Sequence, residues 1–152
     1  MNHGHRRIVA AAGLIVFAGS IVGCTASQMP VRSDEAQAWL DELDVDEEGS
    51  VAVFSGAPSL DFDSGDTIGV GYDPVAQVTS AEFSCFGEES MSVELWVEGS
   101  ASATTLREED LICEASPHTI EIAMDGVDAV RSNAVSPDGT GAWAVVFRGS
   151  ID

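Results

Sequence analysis

Lysine is absent from this 152-residue chain, and all six of its basic residues are arginines. Against them stand 26 aspartates and glutamates, which give a formal net charge of −20 at pH 7. Proteins that bind nucleic acid contact phosphates with clustered lysines and arginines, so the composition excludes that class of partner. The acidic excess also disfavours contact with anionic lipid headgroups and is typical of a soluble surface. We expect a monomer.

Histidine is also scarce, and His118 is the only one beyond residue 5. Nucleophilic catalysis needs a base beside the nucleophile, and no GxSxG-type motif surrounds a nucleophile in this chain. Adjacent acids such as Glu88-Glu89 and Glu108-Glu109 come without any sign of a cleft, and such pairs usually face solvent. We therefore predict no catalytic residues and no enzyme activity, and we interpret His118 as an ordinary residue at the start of a strand.

Only one apolar run is long, and it lies near the N-terminus after a short basic region. The segment from Ile8 to Gly23 spans 16 residues, fewer than the ~20 that cross a bilayer core, so it predicts a signal peptide instead of a membrane span. It ends in Ile21-Val22-Gly23-Cys24, which resembles the lipobox of bacterial lipoproteins. That resemblance implies that a diacylglyceryl group is attached to Cys24 and that cleavage removes residues 1–23. An uncleaved anchor and an ordinary secretory signal are the alternatives.

The lipobox resemblance implies an anchored protein at the extracytoplasmic face of the cell membrane. Bacterial lipoproteins of this type carry at least two acyl chains, which stable anchoring requires. Residues 24–33 would form the lipidated cysteine and a short tether, and residues 34–152 a single domain. The mature chain would keep 4 arginines against 26 acids, a formal charge of about −22. The absence of lysine beside so many acids resembles small lipoproteins of actinobacteria.

Two cysteines remain after Cys24, namely Cys85 and Cys113. An even pair in an exported protein predicts a disulfide, and two buried free thiols are the alternative. The pair has no CxxC spacing and only one histidine to join it, so we do not expect a zinc site.

The domain begins with a helical pattern. Ala36, Trp39, Leu40 and Leu43 recur at helical spacing, which predicts one amphipathic helix from residue 34 to 43. Ser33 or Asp34 can cap its N-terminus.

After residue 49 apolar and polar positions alternate with a period of two, which is typical of half-buried strands. The clearest run puts Met91, Val93, Leu95 and Val97 on the face that we expect to be buried. Turn residues at 64–66, 125–126 and 136–139 separate the strands. The predicted strands are 50–54, 67–72, 81–86, 91–98, 103–106, 111–114, 118–124, 127–132 and 142–148. We predict a mainly β fold: an antiparallel β-sandwich of about seven to nine strands with one N-terminal amphipathic helix.

Trp96 falls on the polar side of its strand, flanked by Glu94 and Glu98. One interpretation is that the N-terminal helix covers it through Trp39 and Leu40, because large aromatic side chains usually find a buried environment. The other is an exposed platform for a sugar ring or for an apolar side chain of a partner.

Two acidic segments are weak candidates for calcium. The first begins like an EF-hand loop but has Ser55 where the bidentate glutamate belongs. The second could gather carboxylates in a turn, although acidic turns are often merely solvated. The candidate ligands are Asp44, Asp46, Glu48, Asp61, Asp63 and Asp66.

These observations predict an envelope lipoprotein that acts as a binding or interaction module for a protein or an envelope glycan. A calcium-dependent or purely structural surface domain is the alternative, and an enzyme comes third. We expect no cofactor unless calcium binds.

Overall fold

The computed structural model describes residues 33–43, 49–63 and 65–151. The predicted signal peptide, the predicted lipidation site Cys24 and most of the predicted tether lie outside these ranges, and so does the acidic segment 44–48. No helix in the described ranges is both long and apolar enough to cross a membrane.

The predicted helix is confirmed as α1, Ser33–Glu42. Its first turn carries Asp34 and Glu35, which favour the positive end of the helix dipole. The indole of Trp39 stacks on Phe86, with ring centroids 5.7 Å apart and planes inclined by 17°. The helix also contacts the last strand of the sheet, so it lies against the outer side of the fold, opposite the core.

The described residues form six strands and one short 3-10 helix. The strands are β1 (Ser50–Gly56), β2 (Ile68–Phe86), β3 (Ser90–Gly99), β4 (Ala103–Ile112), β5 (His118–Val135) and β6 (Ala142–Ile151), and Cys113–Ala115 form the 3-10 turn. All neighbours are antiparallel, in one open sheet of order β1-β6-β2-β5-β3-β4. The mainly β, antiparallel prediction is therefore confirmed, whereas a sandwich of seven to nine strands is not.

The strand count differs because several predicted turns are irregularities within strands. Segments predicted as separate strands merge into β2 and β5, and most of the pair 103–106 and 111–114 merges into β4. Inside these strands Asp110, Ala123 and Gly126 adopt positive φ angles of 56°, 54° and 64°. Such residues let a strand bulge and bend without ending. Asp125-Gly126, predicted as a turn, lies inside β5, whereas Ser136 and Gly139 do close a turn through a 3.2 Å hydrogen bond.

The bends fold the sheet across itself. Residues 118–124 of β5 pair with residues 78–83 of β2, whereas residues 127–132 pair with residues 68–76 of β2 on one side and with β3 on the other. Pairing with β3 begins just beyond the positive-φ residues of β5, and the β2–β5 register shifts at the same place. The inward side chains of both halves then share one core.

Alternation along β3 explains which side chains fill that core. Met91, Val93, Leu95 and Val97 are buried as predicted, each at most 1% exposed. They join one apolar cluster with aromatic side chains such as Phe83, from the other half of the sheet. Folding the sheet thus removes from water an apolar face that a flat sheet would leave exposed.

The disulfide between Cys85 and Cys113 is present, with Cα atoms 4.9 Å apart. It joins the end of β2 to the short 3-10 helix that follows β4, and both cysteines are buried. Cys113 was expected in a strand, but the chain has already left β4 at that point.

Tyr72 lies at the bend of β2, where it reaches β1. Its hydroxyl donates to the carbonyl oxygen of Val51 at 3.5 Å. Burial raises the pKa of Tyr72 to about 12, because the phenolate loses hydration there.

Replacing both Cys85 and Cys113 by alanine should lower the free energy of unfolding by about 3 to 4 kcal/mol, since the 28-residue loop is then unconstrained in the unfolded chain. Urea unfolding of the full chain in detergent measures the change. Reduction of the parent should give the same loss, and an unchanged midpoint in both experiments would contradict the stabilising role.

The chain has a single tyrosine, so absorbance at 295 nm titrates Tyr72 alone. The folded chain should form phenolate with a midpoint near pH 12, and the urea-unfolded chain near the ordinary value of about 10. Because the folded-state pKa is the higher one, this group stabilises the fold below pH 10, and that contribution is lost as pH rises toward 12. A midpoint near 10 with an intact circular dichroism spectrum would contradict the buried placement.

Candidate functional site

The side of β3 that faces away from the core carries Glu94, Trp96 and Glu98. Strand pairing sets Trp96 between Arg131 of β5 and Thr105 of β4, and cross-strand partners share a face. We call this surface the Trp96 face: Glu94, Trp96, Glu98, Thr105, Arg107 and Arg131.

The interpretation in which α1 covers Trp96 is wrong. Trp39 stacks on Phe86 instead, and Phe86 lies on the outer side of β2, next to the buried Cys85 in sequence. The helix therefore covers a different part of the sheet, and Trp96 remains half-buried on its own face. Sequence parity fixed the side of the strand on which Trp96 lies, but not which element would cover it.

Two ion pairs flank Trp96. On one side Arg131 Nη2 lies 3.1 Å from Glu98 Oε2, and both side chains are largely exposed. On the other side Arg107 Nη2 lies 2.7 Å from Glu94 Oε1 and its Nε donates to the same oxygen. The Glu94 side chain is only 12% exposed, so this second pair is the better shielded from solvent.

A loop between β1 and β2 holds the Glu94 end of the face in place. The Phe62 ring centroid lies 4.3 Å from the guanidinium carbon of Arg107, a cation–π contact. Ser59 attaches the loop to the end of β5: its N–H donates to the carbonyl of Ala134 at 2.9 Å, and its own carbonyl accepts from Ser136 at 3.0 Å. Arg107 is thus fixed by a carboxylate beneath it and a ring above it.

Asn133 lies beside Glu94 on the neighbouring strand and is 1% exposed. A Cβ on Gly65 would lie 2.4 Å from its Nδ2, so only glycine allows the loop to pack this closely. Nδ2 has no hydrogen-bond partner among the described residues. This packing buries the residues at the Glu94 end of the Trp96 face.

Beyond Arg131 the face becomes a shallow groove with a floor of small residues. Gly69 and Gly71 of β2 stand opposite Arg131 and Ala129 of β5. A Cβ on Gly69 would lie 2.5 Å from Arg131 Cγ, so the glycine lets the arginine stem lie flat on the sheet. The groove is lined by Thr67, Gly69, Val70, Gly71, Ala129 and Arg131.

This arrangement combines an aromatic ring with charged groups on both sides of it. A half-buried indole with a flat floor beside it offers a stacking surface, and the charges around it offer hydrogen bonds of both polarities. His118 lies elsewhere: it begins β5, as predicted, and its Nε2 is 2.7 Å from the Ile112 carbonyl oxygen.

The calcium candidates divide between the described and undescribed parts of the chain. Asp44, Asp46 and Glu48 lie outside the described residues. Asp61, Asp63 and Asp66 are described, but in the described ranges no three acidic, histidine or cysteine side chains gather as a metal site. Calcium binding therefore stays a prediction. The described residues contain no assembled set of side-chain ligands for it.

Sequence reasoning missed Arg107, Arg131 and Phe62. Their roles depend on which residues stand opposite each other across strands and on where a loop passes, and alternation along one strand does not reveal either. The alternating glycines Gly69 and Gly71 were the one available signal, since glycine inside a strand often marks a close approach.

Replacing Arg107 by methionine should lower the free energy of unfolding by about 2 kcal/mol, because it leaves the shielded Glu94 carboxylate unpaired. The matched change Arg131→Met removes an exposed pair and should cost less than about 0.5 kcal/mol. Urea unfolding of both variants measures the difference. Equal effects would contradict the structural distinction between the two pairs.

Comparison with known proteins does not assign this site. No model of a known protein family matches the chain, and a search of curated proteins finds no similar sequence. Any function must therefore be argued from the residues themselves.

Proposed function

We propose that this chain is a lipid-anchored protein of the cell envelope, and that its β-sheet domain binds a protein or an envelope glycan through the Trp96 face. The observation that carries the binding proposal is the position of Trp96, half-buried between two ion pairs and left uncovered by α1. A tryptophan that keeps an apolar ring partly open to solvent beside polar groups is typical of binding interfaces.

The chemistry of the face defines the kind of partner. The indole can stack on a sugar ring or take an apolar side chain, and tryptophan is among the residues that dominate binding energy. Glu98 and Arg131 are exposed enough to exchange their mutual contact for hydrogen bonds to a ligand. Arg107 and Glu94 are held more tightly, so they provide a rigid edge.

The anchor proposal rests on the lipobox at Ile21 to Cys24, together with the short connection from Cys24 to α1 at Ser33. A fully extended link of nine residues reaches about 30 Å, so the domain would stay close to the membrane. Its acidic surface would be repelled by anionic headgroups, which leaves the Trp96 face available to partners in the envelope.

Replacing Cys24 by alanine should remove the protein from the membrane fraction, either as released protein or as uncleaved precursor, because the acyl chains have no other attachment site. Membrane fractionation and the mass of the mature chain measure this. The variant lacking Cys85 and Cys113 serves as the control and should stay anchored. Normal cleavage with unchanged membrane retention in the Cys24→Ala chain would overturn the anchor.

The binding face can be tested in cells with a photo-crosslinking amino acid. Placed at Ala129 of β5, opposite Glu98, it should give a discrete adduct with a protein or glycan, whereas the same group at Asp138 on the distant turn should not. Trp96→Ala should reduce the Ala129 adduct at least about tenfold, as for a central binding residue. Equal adducts at both positions, or an adduct that survives Trp96→Ala, would contradict the proposal.

A further inference from the structure

A second surface lies at the β4 edge of the folded sheet, where two strand edges face a groove. In the described part of the chain β4 pairs only with β3, and residues 118–124 of β5 pair only with β2. Each therefore has backbone N–H and C=O groups along a free edge. The chain passes directly from β4 through Cys113–Ala115 to β5, yet these two neighbours do not pair.

We call the space between them the β4–β5 groove. It is lined by Leu106, Glu108, Leu111, Pro117, His118, Thr119, Ile120 and Glu121. At one end it is closed by the bond between His118 Nε2 and the Ile112 carbonyl and by the buried disulfide at Cys113. The groove opens away from that end, along the two free edges.

The wall of the groove is apolar because its side chains lie at the edge of the core, where they are only partly buried. Leu106 and Leu111 stand opposite the buried Leu95 and Met91, so they share the inward face of the sheet, but they are only partly buried. Ile120 contributes from the β5 side. A group that covered these side chains would remove apolar area from water and so gain binding free energy.

The free edges determine the shape of the occupant. Unpaired strand edges are satisfied by an extended backbone, and side chains that alternate along such a strand would place every second one against the apolar wall. The accessible edge of β4 from residue 103 to 108 spans six residues, or about 20 Å. That length suits a short linear segment.

The negative charge of the groove determines which amino acids the bound segment contains. Glu108 shares the inward side of β4 with Leu106, and Glu121 lies across the groove, both with exposed side chains. Beside them Glu109 and Asp110 continue the acidic run on β4. Such a run repels a second copy of this acidic chain and favours a basic partner.

We infer that the β4–β5 groove binds an extended peptide segment in which basic residues alternate with apolar ones, and that this segment adds as a strand to the free edge of β4. Its apolar side chains pack on Leu106 and Ile120, and its basic side chains pair with Glu108 and Glu121. This site uses the free edge and inward side of β4, whereas Thr105 and Arg107 of the Trp96 face lie on the outer side of the same strand, so binding here does not require Trp96.

The test uses the full chain in detergent micelles and a fluorescein-labelled nonapeptide that alternates arginine with valine, followed by fluorescence anisotropy. We expect saturable binding that weakens about tenfold or more in the variant Glu108→Arg with Glu121→Arg. The matched control, Glu42→Arg with Asp138→Arg, changes the net charge equally at exposed positions away from the groove and should leave binding within about twofold. Trp96→Ala should also leave it unchanged.

A second peptide of the same sequence, N-methylated at alternate backbone amides, keeps charge and apolar surface but cannot form a strand ladder. It should bind at least about tenfold more weakly if backbone pairing contributes. No binding of the parent peptide, equal binding of the methylated one, or equal losses in the two double variants would each overturn the inference. Circular dichroism and the intact disulfide confirm that each variant is folded.

Discussion

The inward face of the sheet carries most of the large apolar side chains, and within the described residues only the sheet itself can cover that face. α1 lies on the outer side through Trp39 and Phe86, so it does not contribute to the central core. A single sheet with one apolar face must then fold over on itself, and the bends of β2 and β5 make this possible. The positive φ angles of Ala123 and Gly126 lie just before β5 begins to pair with β3 as well as with β2.

Two parts of the folded sheet differ in chemistry. Where β2 meets β1, the Tyr72 hydroxyl donates to the Val51 carbonyl oxygen, and burial raises the pKa of Tyr72. Between β4 and the first half of β5 there is no pairing, and Leu106 and Leu111 remain only partly buried. The same topology turns Trp96 outward between its ion pairs. The Trp96 face and the β4–β5 groove therefore both follow from the way in which the sheet folds over.

Much of the fold follows from the sequence alone. Helical spacing located α1, alternation identified the buried side of β3, and an even pair of cysteines in a chain predicted to be exported indicated the disulfide between Cys85 and Cys113. Each of these inferences uses only local periodicity or residue type.

The strand count and the site composition required information that is not local. A glycine after an aspartate predicts a turn, but whether the chain reverses or only bends at Gly126 depends on which strands lie alongside. The pairing of Arg107 with Glu94 and of Arg131 with Glu98 depends likewise on register. The sequence did not show whether Trp39 would contact Trp96 or Phe86, because this depends on where α1 lies on the sheet. In the structure α1 lies where Trp39 stacks on Phe86.

The account depends most directly on the Trp96 indole being partly accessible to solvent in the intact protein. The three tryptophans give three indole N–H signals in a proton–nitrogen correlation spectrum, and a soluble gadolinium chelate broadens those that it can approach. Trp143 donates its indole N–H to the Ala57 carbonyl at 3.1 Å and is 1% exposed, so its signal should stay sharp. The Trp96 signal should broaden strongly. A Trp96 signal as well protected as that of Trp143 would mean that the face is covered, and the proposed binding surface would not exist.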